Sequence, residues 1–362
     1  MSQIGELARL IEQVNTARSE KKALCIRGGG TKDFYGEAPA GEPLSTRALA
    51  GISAYEPSEL VVTVRAGTLL SELESALASQ GQCLAFEPPR FADGGTVGGM
   101  VAAGLAGPAR AAVGSVRDFV LGATLLNGKG EVMSFGGQVM KNVAGYDVSR
   151  LLAGSMGVLG LILEVSLKVL PRPAATATLR FEWEQAEALA QLQAWGGQPL
   201  PVNASAWWNG MLVLRLAGAG AAVQSAITKL GGELIAPETA SVFWNGLRDQ
   251  RDEFFHSAQA ALAGGARLWR LSLPPVAPAL ELSGEQLVEW GGALRWLVSA
   301  AAPAQVRDAA ARVGGHAAIF RGDKTGGALP PLGEPLARIH RDLKTAFDPD
   351  RVFNPGRLLP GL

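Results

Sequence analysis

Apolar residues recur along the chain with two different periods. Dense apolar runs at 23–26, 60–64, 119–126 and 158–169 read as strands; the last is interrupted by Gly160, Glu164 and Lys168 and is too short to span a bilayer. Between the second and third runs, Leu69, Leu70, Leu73 and Leu77 fall on one face of a helix over 68–80, with Thr68 as its N-cap and Gly81 as its stop. Asn127-Gly128 separates 119–126 from a returning strand at 131–135 and predicts a tight hairpin. Residues 1–15 alternate acidic and apolar positions in a helical pattern, without the basic and apolar regions of a signal peptide.

The pattern changes character at Pro171-Arg172-Pro173. Both cysteines precede this point, and all eight tryptophans and all three histidines follow it, which predicts a domain boundary there. Beyond it, strands are expected at 177–183, 211–216, 266–273 and 316–321, and helices at 184–195, 221–230, 241–256 and 302–313. Strands and helices mix without strict alternation, so the fold class is α+β rather than a doubly wound α/β sheet. Most tryptophans read as core. Trp290 and Trp296, six apart around Gly291-Gly292, do not share a helical face and are expected to be partly exposed, where aromatics anchor partner surfaces.

Charge removes several functions. Lysine plus arginine and aspartate plus glutamate number 33 each, leaving no electrostatic case for nucleic acid or an anionic membrane surface. Two cysteines, Cys25 and Cys83, cannot hold an iron–sulfur cluster or a four-cysteine metal site, and they suit a reducing cytoplasm. The three histidines, His256, His316 and His340, include no close pair, so no metal site is expected.

The candidate chemistry lies in glycine. Arg27-Gly28-Gly29-Gly30-Thr31 follows the apolar run 23–26 and precedes no amphipathic helix, and Asp33 stands where a dinucleotide fingerprint would need its third glycine. Consecutive glycines let backbone N–H groups converge on one anion, with Arg27 and Lys32 as countercharge, although a simple surface turn is the better explanation of this loop taken alone. A second run over 94–108 contains Gly94, Gly95, Thr96, Gly98 and Gly99 and ends at Pro108, which stops any helix begun at Gly98. Tight helix packing through glycine and alanine explains that run, taken alone, equally well. Two such loops together favour a large phosphate-bearing cofactor.

The first loop, the segments 56–67 and 94–108, and Gly114-Ser115-Val116-Arg117-Asp118-Phe119-Val120-Leu121-Gly122 together resemble the vanillyl-alcohol-oxidase (PCMH) type of FAD-binding domain. The ending, residues 347–357 with Asn354-Pro355-Gly356, is similar to the carboxy-terminal signature of lactate and glycolate dehydrogenases in that superfamily. Glu87-Pro88-Pro89, residues 140–147 and residues 290–297 narrow the resemblance to the FAD-binding subunits of bacterial glycolate oxidases. It implies a two-subdomain FAD-binding domain over 1–173, an α+β cap over 174–335, and a segment 336–362 that returns to the flavin.

The resemblance also implies roles. Gly28, Gly29, Gly30 and Thr31 would bind the pyrophosphate, helped by the second loop; Gly114 and Ser115 would approach the adenosine or pyrophosphate; Ile162 would meet the adenine; Asn354 and Gly356 would lie near the isoalloxazine. Relatives that attach FAD covalently use a histidine in the first loop. Thr31, Lys32 and Asp33 stand there instead, and Cys83 is far from the second attachment position, so the FAD is expected to be noncovalent.

Oxidising a 2-hydroxy acid requires a cation for the carboxylate and a base near the hydroxyl. His316 is the best base candidate, with Arg321 or Arg295 as carboxylate holder, while a strand-start histidine and surface-paired arginines explain the same residues. Lys141, Tyr146 and Asp147 sit where the resemblance places a strand leading to the flavin, and a structural turn explains them as well. The function expected is a relay: this flavin passes electrons within a complex whose catalytic flavoprotein oxidises glycolate to glyoxylate and whose iron–sulfur subunit carries electrons onward. A self-sufficient FAD-dependent 2-hydroxyacid dehydrogenase and a structural subunit are the alternatives. The expected location is cytoplasmic, with any peripheral attachment to the inner face of the cell membrane made through partners.

Overall fold

The computed structural model describes residues 3–137 and 147–362. Leu24–Arg27 pairs in parallel with Glu42–Ser45, and the first glycine loop leaves its end. Beside this pair stands a five-stranded antiparallel sheet in the order Ile52–Glu56, Val61–Arg65, Leu161–Lys168, Val120–Leu126, Val132–Gly136. Leu70, Leu73 and Leu77 of the helix Leu70–Ser79, and Val97, Met100 and Val101 of the helix Val97–Ala103, bury against Val62, Val64, Val165 and Leu167 of this sheet. Each such fully buried aliphatic side chain contributes about 1.5–3 kcal/mol.

An eight-stranded antiparallel sheet occupies the later chain. Its order is Glu233–Ile235, Ala175–Glu182, Met211–Gly218, Val202–Trp208, Glu285–Glu289, Leu294–Ser299, Arg267–Ser272, His316–Arg321. The chain is thus α+β, as its pattern predicts. The C-terminal segment then returns: Val352 and Phe353 join Leu10, Val14, Leu24 and Leu44 in one core, and Leu24 bridges Phe353.

Several local expectations are corrected. The N-cap of Leu70–Ser79 is Leu69; the Thr68 hydroxyl instead holds the backbone of Gly51, accepting from its N–H at 2.9 Å. Gly81 does stop that helix at φ 66°. The turn at 127 is longer than a two-residue hairpin. Asn127 Oδ1 accepts the N–H groups of Lys129 and Glu131, and the left-handed position is Gly130, whereas Gly128 packs against Asp348, whose carboxylate a Cβ would strike.

The helix begun in the second glycine run ends at left-handed Gly104, before Pro108 is reached. The helix expected over 241–256 is two, Pro237–Asp249 and Glu253–Ala263, because Gln250 turns left-handed and Asp252 caps the second by accepting from Phe255 N at 3.1 Å. Trp290 and Trp296 are both buried, each 5% exposed, because Trp296 lies in the sheet strand Leu294–Ser299 and Trp290 in the single 3-10 turn Trp290–Gly292 just before it, not on one amphipathic helix. Their indoles are tied down: Trp290 Nε1 donates to Gly107 O at 3.0 Å and Trp296 Nε1 to Glu289 at 2.7 Å. Among the described residues no helix is long and apolar enough to cross a membrane.

Candidate cofactor site

The two glycine loops meet backbone to backbone. A Cβ on Gly28 would strike the Thr96 hydroxyl, and one on Gly29 would overlap the Gly94 carbonyl, so neither position admits a side chain. Gly30 runs at φ 73°, which brings Arg27 and Asp33 into an ion pair at 2.6 Å across it. Thr96 caps the helix Val97–Ala103 by accepting from Gly99 N at 3.2 Å, and Gly98 lies against Ala66 too closely for a Cβ. The N–H groups of Gly28, Gly29, Gly30 and Thr31 find no acceptor among the described residues. That is the arrangement that cradles an anion.

These groups open on a cavity of about 100 Å³, walled by the first loop, Thr96, Gly99, Ala102, Met156, Asn354 and Arg357. Asn354 reaches it in the left-handed conformation, φ 43°, and stitches three segments: its Oδ1 accepts from Ile26 N at 2.7 Å and its Nδ2 donates to Met156 O at 2.6 Å. Arg357 Nη2 donates to the carbonyls of Lys32 and Asp33 at 3.2 and 3.0 Å, and its Nη1 is buried without a partner. A buried guanidinium nitrogen with an open valence, beside four free N–H groups, fits a ligand with anionic and carbonyl oxygens.

The loop is held from behind as well. Lys324 donates to the carbonyls of Phe34 and Gly36. At the base of the returning segment, Lys344 and Asp348 form a fully buried pair at 2.7 Å. Lys344 also donates to Val158 O and Phe353 O at 2.8 Å, and Asp348 accepts from Val352 N at 2.9 Å and Phe353 N at 2.8 Å.

Lys32 projects beside Thr31, Nζ to Oγ1 3.5 Å, and over the Phe91 ring at 5.9 Å. Burial pushes its pKa down to about 8, against the attraction of Asp249. Below pH 8 the ammonium is present in the free protein, so its charge is available to an anion. Above pH 8 it must be regained on binding. FAD affinity is therefore expected to fall by up to about tenfold per pH unit above 8, and a Lys32→Gln variant should bind weakly with a flat profile, measured by flavin fluorescence quenching from pH 7 to 9.5.

The structure brings together only part of the expected set. Arg27, Gly28, Gly29, Gly30, Thr31, Thr96, Gly99 and Asn354 line the cavity; Gly94, Gly95 and Gly98 are the packing that shapes it. Gly114 and Ser115 do not line it. Ser115 is engaged in a capping box with Asp118, whose Oδ2 accepts its N–H and hydroxyl at 2.7 and 2.9 Å. Ile162 is a buried strand residue opposite Leu125, and Gly356 donates to Leu362 O at 2.5 Å. Arg357 and Lys324 were not singled out in the sequence, although the basic residue closing Asn354-Pro355-Gly356-Arg357 was in view.

The expected catalytic group is not assembled. His316 and Arg321 stand at opposite ends of one strand, about 16 Å apart at the usual strand rise. His316 is exposed, and its pKa is lowered by partial burial and by Arg270. Arg295 is 1% exposed and donates to three carbonyls, Gly292 at 3.3 Å, Pro278 at 2.5 Å and Ala277 at 2.6 Å, bracing a loop rather than facing a substrate. Arg321 lies 3.5 Å from the centre of the Phe34 ring and 5.4 Å from that of Phe91, near both loops. Lys141 and Tyr146 lie outside the described residues; Asp147 accepts from the Ser149 hydroxyl at 2.6 Å.

The FAD binding domain family matches residues 3–136. Over 350 residues the chain is 49% identical to the glycolate oxidase subunit GlcE of Escherichia coli (strain K12), covering 96% of each chain. It is 31% identical over 185 residues to the glycolate oxidase subunit GlcD of Bacillus subtilis, a match that takes in 50% of this chain and 39% of that one. A D-lactate dehydrogenase of Anaerostipes hadrus is 33% identical over 185 residues, 50% of this chain and 38% of its own. Among solved structures, alkyldihydroxyacetonephosphate synthase has the same fold, with a TM-score of 0.65 at 13% identity over 96% of this chain and 74% of that chain.

Proposed function

Because the chain belongs to the family of the glycolate oxidase subunit GlcE, we propose that it is the FAD-carrying subunit of a heteromeric glycolate oxidase and relays electrons between partner subunits. The observation that carries this reading is the cradle itself: free N–H groups at 28–31, Arg27 and Lys32 as countercharge, and the open Nη1 of Arg357 in one cavity. Gly28, Gly29, Gly30 and Thr31 hold the pyrophosphate, and Arg357 with Asn354 faces the part of the cofactor that lies against the C-terminal segment. Bound FAD supplies two-electron oxidation and one-electron transfer. In this reading the first unit ends near residue 173, where the eight-stranded sheet follows at Ala175, and the returning segment 336–362 begins inside the first turn of the helix Glu334–Phe347.

The partners are a catalytic flavoprotein that oxidises glycolate or a related 2-hydroxy acid and an iron–sulfur subunit that carries electrons onward. Any attachment to the inner face of the cell membrane is theirs. Support for the relay over self-sufficient catalysis is that His316, Arg321 and Arg295 do not converge.

The FAD is held without a covalent bond. Cys25 lines the cavity, but burial raises its thiol pKa, with Asp33 adding to the rise, so little thiolate is present to attack a flavin. Acid precipitation of the purified chain is therefore expected to release about one FAD per chain into the supernatant; yellow colour staying with the pellet contradicts this. Mixing with the two partner subunits should give one complex by size-exclusion chromatography that retains flavin on this chain, and failure to co-elute overturns the subunit assignment.

A further inference from the structure

The loop that walls the cofactor cavity has no strand or helix of its own to shape it. From Thr31 to Gly36 the backbone is a run of turns and bends, and Lys32, Asp33 and Tyr35 of this run line the cavity. Its carbonyls are held instead by cations from elsewhere in the chain. Arg357 of the C-terminal segment takes those of Lys32 and Asp33, and Lys324 takes those of Phe34 and Gly36. One of the two hands on the loop therefore belongs to the eight-stranded sheet, because Lys324 sits on the turn that leaves its edge strand His316–Arg321.

That turn is braced on its own side. Arg267 donates to Asp323 O at 2.8 Å and to the Asp323 carboxylate at 2.7 Å, Asp323 Oδ1 accepts from Thr325 N at 3.0 Å, and Arg307 donates to the carbonyls of Gly326 and Gly327 at 3.0 and 2.5 Å. A second tie runs the other way across the same junction: Glu37 Oε1 accepts from Ala328 N at 2.6 Å. Between the ties, the Phe34 and Tyr35 rings pack on Phe320, which is 1% exposed, at centre-to-centre distances of 5.3 and 5.2 Å. Lys324 is half-buried among exposed neighbours, and burial lowers its pKa, with Arg357 and Arg321 adding to the fall and Glu37 opposing it. A partly desolvated ammonium binds carbonyl oxygens more strongly than one in water, and its three donors can serve two carbonyls at once.

We propose that Lys324 is a positioning residue for the flavin: by holding the Phe34 and Gly36 carbonyls it fixes the loop 31–36 at the cavity wall and clasps the edge of the eight-stranded sheet to the bound cofactor. Lys324 does not itself line the cavity, so it acts through the loop. Coupling of this kind is reciprocal, so FAD that the clasp retains must in turn steady the clasp. The inference rests on FAD occupying the cavity and is independent of the relay.

The test follows release of FAD from the loaded chain, as the rise in flavin fluorescence after dilution, together with amide hydrogen exchange over 322–328 in the presence and absence of FAD. Lys324→Met is expected to release FAD about tenfold faster or more, and Lys324→Arg, which keeps the charge and the donors, to recover most of the retention. FAD should slow exchange over 322–328 in the unaltered chain and not in Lys324→Met. Circular dichroism and melting curves without FAD identify a variant that fails to fold, and Glu37→Ala, which cuts the opposite tie, then decides.

The proposal is overturned if the folded Lys324→Met and Glu37→Ala chains release FAD at the unaltered rate, or if exchange over 322–328 ignores FAD in the unaltered chain. A lower melting temperature in Lys324→Met with unchanged release assigns the residue to the fold alone and overturns it as well. An unaltered chain that takes up no FAD refutes the clasp and the cofactor reading together. A chain that shows the clasp but whose flavin never bleaches with the partner subunits refutes the relay and leaves the clasp standing.

Discussion

Gly29→Ala is expected to yield a folded chain that purifies without flavin. The new Cβ overlaps the Gly94 carbonyl, a backbone atom that cannot rotate away, so one of the two glycine loops must move. The first loop is pinned behind by Lys324 and Arg357, and the second is continuous with the helix capped by Thr96. The movement therefore falls on the 28–31 N–H groups that would contact the pyrophosphate. Loss of that convergence should weaken FAD at least about 100-fold, or roughly 2.7 kcal/mol, read as the ratio of flavin to protein absorbance and by titration with added FAD. Gly197→Ala, where the added Cβ meets nothing within 4 Å, is the matched control and should load normally. A flavin-replete Gly29→Ala protein would show that the cofactor does not depend on this contact.

Asp348→Ala should cost about 3–5 kcal/mol of stability, with a large fall in Tm and loss of flavin in step. Removing the carboxylate leaves the Lys344 ammonium, 2% exposed, without its counter-ion, and frees the N–H groups of Val352 and Phe353. Burial already lowers the Lys344 pKa, so the buried charge is borne only because Asp348 and two carbonyls surround it. Phe353 precedes Asn354, whose amide joins Ile26 to Met156 at the cavity wall, so the defect reaches the site through one residue. Lys344→Met with Asp348→Ala should recover part of the loss, since no charge is then stranded. Urea melts of the two single variants and the double variant measure the coupling. A stable, flavin-loaded Asp348→Ala protein would mean that the returning segment is held elsewhere.

Much of this architecture could be read from local pattern. The Leu70, Leu73, Leu77 stripe and the apolar strands declared themselves because one face of each is buried against one sheet. The two glycine loops were legible because a missing Cβ leaves a trace in composition. Their mutual contact was not, since Gly28 meeting Thr96 and Gly29 meeting Gly94 are tertiary facts. The strands Val202–Trp208, Glu285–Glu289 and Leu294–Ser299 escaped notice: Trp and Glu at positions such as Trp296 and Glu289 look like surface chemistry until both are seen buried and bonded to each other.

The arginines illustrate the same limit. Sequence cannot say which guanidinium donates to carbonyls, as Arg295 does, and which bonds only a serine hydroxyl among the described residues, as Arg270 does. Arg357 was hidden similarly, because an arginine after Asn-Pro-Gly reads as a tail until its open nitrogen is found in the cavity wall.

The most direct measurement of the relay is the visible spectrum of the FAD-loaded chain, purified alone, after anaerobic addition of glycolate, and again after addition of the partner subunits. The relay predicts a flavin band that persists with glycolate alone and bleaches once the catalytic flavoprotein is present. Bleaching of the isolated chain would contradict it and establish a self-sufficient 2-hydroxyacid dehydrogenase.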